Sequence, residues 1–97
     1  MSIVQSLNKD FESRGRLGIM SVLIVNDWTE FNELKEHLEV TDGNLASHIS
    51  ALEKKKYIKV KKEFVARKPK TSYAVSAVGR RAFEEHINAL EKLINNQ

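Results

Sequence analysis

The chain has no cysteine, one proline and four glycines in 97 residues. Without cysteine there can be no disulfide framework and no thiolate metal site. Long hydrophobic runs are missing too. The longest mostly apolar stretch, Leu17 to Val25, is far shorter than the roughly 20 residues a membrane helix needs. Near the start, polar residues interrupt Ile3, Val4 and Leu7, unlike the continuous apolar segment of a secretory signal. No repeat, linker or low-complexity tract divides the chain. These absences predict a cytoplasmic globular protein that is one domain over residues 1–97, with no membrane partner. With 41% hydrophobic residues, so short a domain buries a limited core, and a second subunit over an apolar face fits that economy.

Charge is present but unevenly placed. Residues 1–53 carry four Lys/Arg against nine Asp/Glu, a net of −5; residues 54–70 carry nine against one, a net of +8. The remaining 27 residues balance at three against three. A lysine run by itself is usually a solvated face. One this concentrated behind an acidic half marks a polyanion-binding surface.

Apolar spacing predicts the order helix, helix, helix, strand, strand, helix. A short leading helix over the first nine residues places Ile3, Val4 and Leu7 together. The run RLGIMSVLIVN (16–26) reads as a largely buried helix whose start is blurred by Gly15 and Gly18, and DWTEF (27–31) as a small edge strand. Thr29 is expected to cap a helix over Glu30–Glu39, with Phe31, Leu34 and Leu38 inward. Thr41 is the natural N-cap of the next helix, in which Leu45, Ile49 and Leu52 face the core. Only Glu39, Val40 and Thr41 separate the two, which is helix-turn-helix spacing. The alternating segments YIKVKKEF and TSYAVS predict a β-hairpin, and VARKPK between them reads as a charged, extended tip that Pro69 keeps from continuing as a strand. Ser76 is expected to cap a last helix in which Phe83, Ile87, Leu90 and Ile94 form one stripe.

On the helix that begins at Thr41, the face opposite the apolar stripe holds Gly43, Asn44, Ser47, Ser50, Ala51 and Lys54, with His48 on its flank. An ordinary exposed face would be filled with Lys and Glu. Small hydrogen-bonding residues instead allow close approach, and Asn, Ser and His can read base edges in a major groove. A merely serine-rich exposed face is the plain alternative. Gly43 reads equally as a point of close approach or as a tolerated glycine. If this helix enters a groove, the hairpin beside it brings Arg67, Lys68 and Lys70 to phosphates or into a minor groove, with Pro69 stiffening the tip.

Taken together, VTDGNLASHISALE, KKEFVARKPKTSYAVS and GRRAF make residues 14–94 resemble the small winged-helix DNA-binding domains of MarR/ArsR-type prokaryotic transcriptional regulators. The resemblance implies a mainly α (α+β) winged helix-turn-helix: a three-helix core, a two-stranded β-hairpin wing and a C-terminal dimerisation helix. The helix-turn-helix would cover about 30–55, the wing about 57–76 and the last helix about 77–95. It further implies a homodimer that binds specific double-stranded DNA sequences, usually as a repressor. Carried onto this chain, the recognition helix offers Thr41, Asn44, Ser47 and His48, and the wing Arg67, Lys68, Lys70 and Thr71. One position departs from the pattern: Lys56 stands where relatives usually have glycine, so a different helix ending is expected there.

No cofactor is implied. His37, His48 and His86 fall on three different predicted helices without a second ligand at metal-binding spacing. Glu84 and Glu85 are adjacent on a helix and so diverge, and no nucleophile–base pattern or phosphate loop is present, which argues against an enzyme. His86 reads as exposed or interfacial, and Trp28 as core or wing-base packing. Arg80 and Arg81 fit phosphate contacts and internal salt bridges equally. The expected dimer interface is Ile3, Val4 and Leu7 with Ile87, Leu90 and Ile94, from an end of the last helix that overruns the core. At this length a small-molecule effector would have to use that interface or an internal cleft, and nothing in the sequence supports one. Two rival functions remain open: a winged-helix module that meets an acidic protein, and a coat protein that binds DNA without sequence preference.

Overall fold

The computed structural model describes residues 3–95, apart from the side chain of Ile3. Two short 3-10 turns, Ile3–Ser6 and Lys9–Phe11, take the place of the expected leading helix. The second delivers Phe11, 1% exposed, into the core. Its ring centroid lies 5.2 Å from that of Tyr57, 5.5 Å from that of Phe83 and 5.5 Å from that of His86. Spacing arguments pass over Phe11 because it belongs to no periodic segment. Helix α1 spans Arg14–Val25, and Ser13 caps it by accepting from the Arg16 N–H at 3.3 Å. Ile19, Met20 and Leu23 are wholly buried.

Thr29 and Glu30 form the edge strand β1, and helix α2 follows at Phe31–Leu38. The cap is therefore not Thr29, whose buried hydroxyl donates to the Asp27 carbonyl at 3.2 Å. Glu30 is the N-cap, and the Glu33 carboxylate accepts its N–H at 3.1 Å. Helix α3 spans Asp42–Lys54, and Thr41 Oγ1 accepts from the Asn44 N–H at 3.2 Å. As expected, Leu45, Ile49 and Leu52 are buried.

Lys56 does not change how α3 ends. It takes a left-handed φ of 63°, the Lys56 N–H donates to Glu53 O at 2.9 Å, and the Tyr57 N–H reaches back to Leu52 O at 3.0 Å. That pair of bonds is the Schellman ending, with lysine in the position that favours glycine.

Strands β2 (Ile58–Val65) and β3 (Lys68–Val75) pair antiparallel, and β3 is central in the order β1-β3-β2. The tip is far tighter than expected. Only Ala66 and Arg67 lie outside the strands, with φ of 52° and 66°, a two-residue turn of the primed kind. Pro69 lies inside β3, directly opposite Phe64. The alternation set by the turn makes that pair non-hydrogen-bonded, so its missing N–H faces away from β2. On that other edge β1 pairs only with Ser72 and Tyr73, and no partner is lost.

Helix α4 runs Ala77–Asn95 and buries Gly79, Phe83, His86 and Ala89. Ser76 caps it as expected, its hydroxyl accepting from the Gly79 N–H at 2.9 Å while donating to Lys56 O at 2.7 Å. His86 is 4% exposed rather than superficial, and its Nδ1 accepts the Asn8 N–H at 3.0 Å. Burial holds its imidazole below the ordinary 6.5, with the Glu12 carboxylate pulling the other way.

Candidate nucleic-acid interface

The outward side of α3 carries Gly43, Asn44, Ala46, Ser47, Ser50 and Lys54, all exposed, with Ala51 half-buried. Ala46 belongs to this small-residue face as well, although its apolar side chain gives no sign of it in the sequence. A methyl group built on Gly43 meets no protein atom, so the fold itself does not demand glycine there. Asp42, the one carboxylate in the first turn of α3, is paired with Lys35 of α2 at 2.7 Å. Asn44 and Ser47 are open to solvent. The Thr41 hydroxyl is engaged as the helix cap, which leaves its proton to donate. His48 is half-buried, and its ring lies against Gly15 so closely that a Cβ at Gly15 would overlap it.

The basic run is divided by the fold. Lys54, Lys55 and Lys56 crowd the end of α3, with Lys55 3.8 Å from Asp10. Lys59 and Lys61 lie on one face of β2, their Nζ atoms 5.5 and 4.6 Å from the centre of the Trp28 ring. Trp28, 39% exposed, is thus a platform at the base of the wing. Lys68 and Lys70 share that face through the strand alternation, and Arg67 occupies the turn. Thr71, half-buried, points to the other face with Lys62. Of the four wing candidates, Arg67, Lys68 and Lys70 are therefore grouped toward the tip and Thr71 is set apart. Arg80 and Arg81 are both exposed, and Arg80 directs its guanidinium to the Ile24 carbonyl at 3.5 Å.

A tight helix-turn-helix whose second helix presents a small polar face, followed by a basic hairpin, is the winged-helix arrangement, here with four α-helices and a three-stranded antiparallel sheet among the described residues. Residues 16–94 match the model of the winged helix DNA-binding domain family, and the chain belongs to that family. It is 36% identical over 88 residues to an uncharacterized protein of Methanocaldococcus jannaschii, covering 91% of this chain and 96% of that one. Among solved structures, a transcriptional regulator homologue from Pyrococcus horikoshii superposes with a TM-score of 0.89 at 28% identity, over 99% of this chain and 97% of the other. The MepR protein of S. aureus, solved as a DNA complex, shares the fold at a TM-score of 0.75 and 14% identity, over 96% and 76% of the two chains.

Proposed function

We propose that the protein is a transcriptional regulator that binds duplex DNA as a homodimer and represses by occluding promoters. The exposed small polar face of α3 beside a basic wing is the observation that carries this reading. Asn44 and Ser47 read base edges in the major groove, while Thr41 and His48 border them. Arg67, Lys68 and Lys70 hold phosphates of the flanking backbone, and Thr71 supports the wing. Absence of carboxylates on the reading face separates this design from an acidic-partner module. Its scarcity of cations separates it from a coat protein, which needs charge there. A DNA complex of the similarly folded MepR supports the same assignment. No described helix is long and apolar enough to cross a membrane.

The dimer rests on α4. Ile87 and Ile94 are seven residues apart on one side of the helix and are 39% and 74% exposed, while Val4 is 58% exposed. Leu7 and Leu90 are half-buried, and the side chain of Ile3, the remaining interface candidate, lies outside the described residues. A two-fold dimer through this surface would set its recognition helices about 34 Å apart, one turn of duplex.

Selection of bound duplexes from a random pool at near-physiological salt tests the reading. A near-palindromic motif with half-sites one turn apart is the expected result. Retention without any motif would instead identify a coat protein. With a motif in hand, Lys68→Ala should weaken binding to all sequences and lower the salt slope by about one. Asn44→Ala should change the preference among sequences by roughly 1–3 kcal/mol at one position. Equal losses on every sequence would remove Asn44 from base reading.

A further inference from the structure

Phe64 is 79% exposed, the most exposed large apolar side chain among the described residues, and it sits one residue pair from the turn of the wing. Directly opposite it is Pro69, also exposed. In a non-hydrogen-bonded pair the two side chains stand about 4.5–5.5 Å apart at Cβ, so they form one apolar surface. By the alternation of the strands this surface continues the face that lower down supplies Ile58, Val60, Tyr73 and Val75 to the core. The hairpin carries that face past the edge of the domain, where no helix covers it. A phenylalanine so exposed adds little to folding, and a lone apolar residue would need no explanation. This one is paired with the chain's only proline and flanked by charge that is mostly positive. Lys62 shares its face, Arg67 forms the apex, and Lys68 and Lys70 lie on the reverse. The carboxylate in this segment, Glu63, is 3.9 Å from Lys61.

We propose that Phe64, backed by Pro69, is an apolar wedge that enters the minor groove of duplex DNA beside the half-site, pries a base step partly open and bends the helix. The proposal rests on the DNA-binding reading above and extends it from phosphate contact to deformation. An apolar pair with Lys62 on its own face, Arg67 at the apex and Lys68 and Lys70 behind it matches a minor groove, where phosphates line both rims and sugars and base edges form the walls. Phe and Pro are among the side chains that serve as such wedges. The two-residue turn puts Phe64 close to the apex, so that its side chain, and not the ribbon, enters a groove about 6 Å wide. Flexible pyrimidine–purine steps would be opened most easily, so the wing would add sequence preference at positions it never reads by hydrogen bonding.

Ring closure of a linear fragment of about 100 bp by DNA ligase provides the test, because that length is below the duplex persistence length of about 150 bp and closes poorly unless bent. The fragment carries the duplex recovered by selection, or the unselected pool if no motif emerges. Wild-type protein should raise circle yield at least tenfold. Phe64→Ser should lose that gain while retaining the fragment on a filter within about threefold of wild type, and Phe64→Leu should restore it. Since Phe64 is exposed, an unchanged thermal midpoint will show that the serine variant is folded. Equal circle yields with wild type and Phe64→Ser on retained DNA would overturn the wedge and leave DNA binding intact. Failure of the wild type to retain any duplex would overturn both readings. Phe64-dependent binding to phosphatidylglycerol vesicles in that case would reassign the tip to a membrane surface.

Discussion

At Gly79 the first turn of α4 passes so close to Tyr57 that a Cβ would overlap its carbonyl oxygen, the same atom that accepts the Ser76 N–H at 3.0 Å. The contact fastens the last helix to the end of α3. Gly79→Ala should therefore destabilise the protein by roughly 1–3 kcal/mol, as forced overpacking does, and denaturant unfolding will measure it. His86 allows a prediction in pH. Its imidazole is buried and accepts a hydrogen bond through Nδ1, so folding favours the neutral ring and depresses its pKa from 6.5. The unfolded chain then binds the proton more readily. Stability from this site is complete above about pH 6.5 and is lost as pH falls through the lower, folded value. His86→Asn keeps an acceptor for the Asn8 N–H without titrating. Its thermal midpoint should fall less between pH 7 and pH 5 than that of the wild type; parallel curves would exonerate His86.

Among the described residues every left-handed backbone position belongs to a residue other than glycine: Glu39, Lys56, Ala66 and Arg67. These residues make the turn between α2 and α3, the ending of α3 and the tip of the wing. Each L-residue there costs about 1–2 kcal/mol relative to a right-handed position. Helix α3 and the wing are thus bounded by conformations that the local sequence does not favour, and at Lys56 a tertiary bond, donated by Ser76 Oγ to its carbonyl, helps to hold one of them. Lys56→Gly should raise stability by about 1 kcal/mol, seen as a higher urea midpoint with an unchanged slope. Ala66→Asn, which suits a primed turn, should act in the same direction on the hairpin. A fall in either midpoint would mean that the native side chain makes a contact worth more than the backbone strain.

For the molecule as a whole, the basic wing and the exposed isoleucines of the last helix belong to separate elements. Cations gather along the wing and the end of α3, whereas Ile87 and Ile94 lie on the last helix. Each set needs the other if one chain can grip only half a site. Replacing both isoleucines, Ile87→Glu with Ile94→Glu, should shift the protein to monomer in sedimentation without unfolding it, because both are already partly solvated. DNA affinity at near-physiological salt should fall at least tenfold with the dimer. A monomeric wild type, or a double variant that still sediments as a dimer, would place the interface elsewhere.

Helix α3, its cap at Thr41, its buried stripe and the Ser76 cap follow from the sequence alone, because capping and helical period are set by residues within four positions of one another. The hairpin is equally local in its existence, through the alternation of YIKVKK and SYAVS. Its tip was not legible, since a proline is barred from a strand only where its missing N–H would be needed, and β1 ends before reaching that point. Lys56 in a glycine position, Phe11 in the core and His86 against Asn8 likewise depended on segments far apart in the chain. The division of one basic run into a helix end, a tryptophan platform and a wing tip had the same origin. Sequence determines which residues carry charge or apolar surface. Only the pairing of strands and the docking of α4 decide which way those side chains face and what stands opposite them.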